Sequence, residues 1–150
     1  MKRAEHSSAF SAFGSPKGKI LLLGLANPFT AELAAQARSF SIEHVSPATL
    51  VQQEISRRTP HGQQAAAVLS RGSAVPDQLL LAVLRKWFWA RKPDAGFLLE
   101  GFPATLLQAM VFDEWLDARN EALDAVFVGR NTSTELIEYY RNHGLLSEVF

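Results

Sequence analysis

The sequence predicts an α/β protein of three layers, with helices on both faces of a five-stranded, mainly parallel sheet. Short strand-like runs occur at Lys19–Leu23, Ile42–Val45, Phe97–Glu100, Ala125–Val128 and Leu145–Val149, continuously apolar in Ile20–Leu23, Phe97–Leu99 and Ala125–Val128, and most of them are flanked by glycine. Strands covered on both faces read as uninterrupted apolar runs rather than as alternating ones. Between successive runs lies at least one stretch of helical composition, and regular alternation of strand and helix implies parallel strands joined by helical crossovers.

Length and composition agree with one such domain. The chain has 150 residues, enough to bury roughly two thirds of its unfolded surface without help from a metal or disulfide. Lysine plus arginine equals aspartate plus glutamate at 15 each, so no global field gathers nucleic acid or an anionic membrane, and any phosphate site must be local. No cysteine is present, which excludes disulfides, thiolate nucleophiles and cysteine-based zinc sites. No apolar run reaches the roughly 18 to 20 residues of a membrane helix. A reducing interior is compatible with this composition, and the expected compartment is the cytoplasm. Residues 1–18 read as a loose tail, because Ser7–Ser15 lacks the continuous apolar region of a secretory signal.

Each element has a local reason. Ile20–Leu23, stopped by Gly24, is the candidate first central strand. Thr30–Ser39 is rich in Ala, Glu, Leu and Gln and favours helix, and Ile42–Val45 follows as a second strand. Leu50–Arg58 and Gln63–Arg71 are helical, punctuated by Pro60 and Gly72, and form a small segment spanning 46–75. A longer helix starts at Pro76, with Leu80, Val83, Leu84, Trp87 and Phe88 as its apolar stripe and Trp89 pointing away. Phe97–Glu100 is the next strand, Thr105–Asp117 a helix, and Ala125–Val128 a strand. Glu135–Asn142 is a helix stopped by Gly144, and Leu145–Val149 a final edge strand.

The stretch Gly96–Ala109, G-F-L-L-E-G-F-P-A-T-L-L-Q-A, carries the most information: a strand runs into an acidic residue, a Gly-Phe-Pro turn and a helix. Around it stand His44-Val45-Ser46, Val75-Pro76-Asp77, Leu136-Ile137-Glu138-Tyr139-Tyr140 and Gly144-Leu145-Leu146. Taken in this order, over about residues 19–149, these segments resemble the adenylate kinase and nucleoside monophosphate kinase family. The resemblance implies a phosphate-loop kinase fold for residues 19–150, with 46–75 as the monophosphate-side helical segment.

The same resemblance marks departures at each phosphate contact. A phosphate loop uses glycines so that successive backbone N–H groups wrap the anion, with a lysine following the transferred group. Here the loop reads Gly24-Leu25-Ala26-Asn27-Pro28-Phe29-Thr30-Ala31-Glu32. Thr30 replaces the lysine, Pro28 removes a donor, and Glu32 brings a negative charge. The family's S-T-G-D-L-L-R is Ser46-Pro47-Ala48-Thr49-Leu50-Val51-Gln52, and Ala104 stands for the arginine of G-F-P-R-T. Two bidentate phosphate contacts are thereby gone. Only Gly129–Glu135 joins the fourth strand to the last helix, where the family places a lid and several arginines; Arg130 is either its remnant or a solvated loop residue.

Gln108 matches the family's adenine-contacting glutamine and Gly101 the glycine beside the base, although a surface glutamine on a helix reads equally well. Glu100 matches the magnesium-side aspartate, or is a solvated carboxylate at a strand end. His44, His61 and His143 are read as structural or exposed.

The implied function is an adenylate-kinase-like domain without phosphotransfer. It either keeps weak nucleotide binding (ATP or AMP) through Gly24, Asn27, Thr30, Ala31, Gly101 and Gln108, with Mg²⁺ at Glu100, or serves as an interaction module through the Trp89 face. The alternative is an active nucleoside monophosphate kinase completed by a partner or an unusual loop. Neither nucleic acid nor a membrane is expected as a partner.

Overall fold

The structure, a computed structural model, describes residues 17–24 and 27–148. Of the expected tail only Lys17 and Gly18 are therefore described, and Gly18 already belongs to the fold, since its carbonyl accepts the Phe97 N–H at 2.8 Å. Val149 of the expected last strand lies outside the described residues.

The described residues form eleven elements: β1 (Lys19–Leu23), α1 (Asn27–Ser39), β2 (Glu43–Val45), α2 (Pro47–Ser56), α3 (Pro60–Ser70), α4 (Asp77–Ala90), β3 (Phe97–Glu100), α5 (Leu106–Ala118), β4 (Ala125–Val128), α6 (Thr134–Asn142) and β5 (Leu146–Glu148). They fall into two compact units, Ser46–Lys92 and the remainder of the chain. The sequence places the helical segment at 46–75; the compact unit beginning at Ser46 continues through α4.

The larger unit is a five-stranded sheet in the order β2-β3-β1-β4-β5. All four pairings are parallel, so the sheet expected to be mainly parallel is wholly so. Ile20 and Leu22 of β1, Leu98 of β3 and Phe127 of β4 form a core with Leu33, Ala34 and Ala37 of α1. Strand side chains alternate between faces. Phe97 accordingly meets α5, in an edge contact with Phe112 at 6.1 Å, and Phe102, Phe112 and Trp115 extend that cluster. Helices thus cover both faces, and each fully buried Leu or Phe contributes about 1.5–3 kcal/mol.

One charged residue lies in this otherwise apolar strand. Lys19 is buried at the start of β1, where its Nζ donates to Asp94 Oδ1 at 2.6 Å and to the carbonyls of Lys17 and Asp94. A buried ammonium needs such partners, and these hold the end of the sheet opposite the strand carboxyl ends.

In the helical unit, Ser46 caps α2: its Oγ accepts the Thr49 N–H at 3.2 Å, and Thr49 Oγ1 accepts the Ser46 N–H at 3.0 Å. Thr59 caps α3. Gly62 allows α3 to approach α2 closely, because a Cβ there would lie 2.0 Å from the Glu54 carbonyl oxygen. On α4 the buried residues are Leu79, Val83, Leu84 and Phe88, while Leu80 and Trp87 of the expected stripe are only half-buried. The buried stripe therefore starts at Leu79 rather than Leu80. Arg91 lays its guanidinium over the Phe88 ring at 4.3 Å and the Trp87 ring at 5.6 Å.

Candidate functional site

In open parallel sheets, ligands bind beyond the carboxyl ends of the strands, where the strand order reverses. Here the reversal falls at β1, which lies between β3 and β4. Register brings the three strands to a common edge, since Leu22 pairs with Glu100 and Leu23 with Val128. Each strand is followed by a glycine at that edge: Gly24, Gly101 and Gly129. The Gly101 N–H donates to Leu22 O at 2.9 Å and the Gly129 N–H to Leu23 O at 2.8 Å.

Beside Gly24 and Gly101 lies a crevice of about 120 Å³, lined among the described residues by Leu23, Gly24, Gly101, Pro103, Ala104, Asn131, Thr132, Ser133 and Leu136. Small-molecule sites usually enclose about 300–1,000 Å³, so this crevice holds less than half the lower figure. None of its described lining residues carries a charge. Among the described residues two larger hollows lie elsewhere, one of about 490 Å³ between α3 and α4 and one of about 330 Å³ beside Asp113, Asp117 and His143. Neither is at the strand carboxyl ends.

The first β–α connection is short. The sequence expects the helix near Thr30, but α1 begins at Asn27, which leaves only residues 24–26 after β1. Pro28 accounts for the early start, since proline's fixed φ and missing donor suit the first helical turn. Segments that would form a wrapping loop are thus drawn into the helix: Asn27, Thr30 and Ala31 are α1 residues, with Thr30 buried and Ala31 exposed. Thr30 and Ala31 are not among the described residues lining the crevice, and the side chain of Asn27 lies outside the described residues.

Gly24 has φ +62°, and a Cβ there would meet Thr132 Oγ1 at 2.6 Å, Thr132 N at 2.8 Å and the Asn131 carbonyl carbon at 2.9 Å. The Thr132 hydroxyl donates to Leu23 O at 2.9 Å. Sequence reading misses Thr132 and Asn131. The brevity of the β4–α6 connection is visible in the sequence, whereas its descent onto Gly24 depends on where the two strands lie in the sheet.

Gln108 is buried, and its Oε1 accepts the Ala104 N–H at 2.7 Å. It is therefore not the surface glutamine that one reading allowed, because it pins the turn containing Gly101 (φ +84°) and the cis Phe102–Pro103 bond. Glu100 is half-exposed, and its Oε1 accepts from His44 Nε2 at 2.9 Å. The sequence reading, which treats His44 as structural or exposed, does not anticipate this pairing, although the residue is indeed exposed. Magnesium is usually held by one or two carboxylates together with phosphate oxygens and water. Glu100 stands at the same strand edge as Gly24, but its carboxylate carries an imidazole and no group of three His, Asp or Glu converges among the described residues.

Comparison with known proteins bears on this geometry. The adenylate kinase family model matches residues 31–141. The chain belongs to the adenylate kinase family. It is 37% identical over 112 residues to an adenylate kinase of Moorella thermoacetica, covering 72% of this chain and 50% of that protein. It is 33% identical over 132 residues to one of Prochlorococcus marinus, covering 85% and 70%. A Clostridium botulinum adenylate kinase is 35% identical over 114 residues. The chain thus spans about half the length of the Moorella and Clostridium adenylate kinases. The family match begins at Ala31, just past the first β–α turn. Within this adenylate kinase fold, no helix among the described residues is long and apolar enough to cross a membrane.

Proposed function

We propose that this member of the adenylate kinase family does not transfer phosphoryl groups and acts instead as a binding or interaction module. The observation that carries the reading is the crevice at the strand carboxyl ends, whose described lining residues bring no charge to it. Phosphoryl transfer depends on positioning and charge stabilisation, to which a single well-placed arginine contributes about 10³- to 10⁵-fold in rate. Thr30 and Ala104 stand where the resemblance places the lysine and an arginine, and Arg130 is an exposed loop residue.

The interaction reading draws on α4, where Trp89 remains 42% exposed and its face carries the exposed Arg85. Exposed tryptophan beside arginine is the composition of interface anchors. The nucleotide reading draws on Gly101 and Gln108, with the glutamine oxygen turned to the backbone rather than outward.

A coupled assay with ATP and a panel of nucleoside monophosphates tests the proposal, with Thr30→Lys and Ala104→Arg variants alongside. No turnover is expected from the wild type. Measurable wild-type turnover that disappears in Glu100→Ala would sink the proposal in favour of an active nucleoside monophosphate kinase.

A further inference from the structure

We infer that the groove between α3 and α4 receives an acidic, amphipathic helix of a partner protein. This deepens the interaction reading of the Trp89 face, on which it rests, and supplies the partner's chemistry. The groove, of about 490 Å³, lies wholly within the helical unit. Gln64, Val68 and the cap residue Arg71 line it from the α3 side, and Gln78, Leu79 and Ala82 from α4. At spacings of four, three and four residues, Gln78 and Ala82 share one face of α4 with Arg85 and Trp89. That face leads from the groove to the exposed tryptophan. With a rise of 1.5 Å per residue, Gln78 to Trp89 spans about 16 Å, the length of roughly three turns of a docked helix.

Charge decides which helix fits. The chain is neutral as a whole, yet Ser46–Lys92 carries seven lysines or arginines against two acidic residues, a net charge of +5. The rest of the chain, with eight against thirteen, carries −5. Of the two acids in the helical unit, Glu54 is buried and paired with Lys86 at 2.9 Å, and Asp77 is not among the residues lining the groove. Arg71 and Arg85 are exposed, and neither has an ion-pair partner among the described residues. An amphipathic helix lays its apolar face into a groove of this kind. Val68, Leu79 and Ala82 meet that face, while guanidinium groups take carboxylates from its flanks in charge-assisted pairs.

The probe is a fluorescein-labelled helical peptide of about 14 residues, with leucine along one face and glutamate on the flanks, titrated with the full chain and read by anisotropy. Saturable binding at submillimolar concentration is expected. Arg71→Glu combined with Arg85→Glu weakens it about tenfold or more, and Trp89→Ala about fivefold or more. Arg57→Glu combined with Arg58→Glu makes the same change in net charge at exposed positions that do not line the groove. That pair leaves the affinity within about twofold, because solvent and salt screen distant charges. Absence of saturation, equal weakening by the two pairs, or equal binding by the wild type of a peptide with lysine in place of each glutamate overturns the proposal. So does a dimer, or adsorption to phosphatidylserine vesicles, that Arg71→Glu with Arg85→Glu abolishes, since the face then serves a second copy or a membrane. Binding is read without nucleotide and turnover without peptide. A failed peptide therefore leaves the inactive-kinase reading standing, and turnover leaves the groove standing.

Discussion

At the level of single residues, Glu54 shows how a buried charge is tolerated. Its carboxyl is almost enclosed in the helical unit, where it accepts from Thr59 Oγ1 at 2.6 Å and from Lys86 Nζ at 2.9 Å. Burial pushes the carboxyl up, but the Thr59 and Lys86 donors outweigh it and hold the group below its ordinary value of 4.5. The folded state therefore binds its proton less readily than the unfolded one. The stabilisation is complete above the ordinary value and is lost as pH falls through the depressed one. Thermal melts from about pH 6 down to pH 3 should show Glu54→Gln losing part of the wild type's acid destabilisation. Asp113, which burial pushes up despite the Tyr139 hydroxyl bonded to it, contributes with the opposite sign. The informative quantity is thus the difference between variant and wild type. Identical pH slopes would show that the Glu54 cluster adds nothing.

Elements show the same motif letters put to structural use. Ser46-Pro47-Ala48-Thr49 aligns with the family's monophosphate segment, yet both hydroxyls close the N-terminus of α2 in a capping box, with Pro47 at its first turn. A Ser or Thr cap is worth about 0.5–2 kcal/mol. Ser46→Ala should destabilise the fold by about 1 kcal/mol, measured by urea unfolding, and an unchanged midpoint would show that the cap is redundant. The Gly101–Ala104 turn follows the same pattern, because Gln108 spends its carbonyl oxygen on the turn's backbone.

Across the whole molecule, the parallel sheet sets where stability is concentrated. β1 is hydrogen-bonded on both sides, to β3 and β4, and Ile20, Leu21 and Leu22 are fully buried or nearly so. β2 and β5 are edge strands of three residues each. Opening free energies span from near zero at frayed segments to the global value in core strands. Native-state hydrogen exchange should therefore rank β1 amides slowest and those of β2 and β5 fastest. Exchange in β5 as slow as in β1 would contradict this ranking.

The strands, their parallel arrangement and the family were legible in the sequence by itself, because apolar runs between glycines and an ordered set of short motifs are local properties. So were Thr30 and Ala104, uncharged residues where the resemblance places a lysine and an arginine. The early start of α1 was written in Pro28 but read too late. Only the tertiary structure decided what fills the edge of the sheet. The pairing of His44 with Glu100, the burial of Gln108 and the seating of Thr132 on Gly24 join residues 56, 4 and 108 positions from their partners or neighbours in the chain. Adjacent parallel strands need not be consecutive in sequence, so contacts between the loops at their ends depend on strand order, which no local pattern specifies.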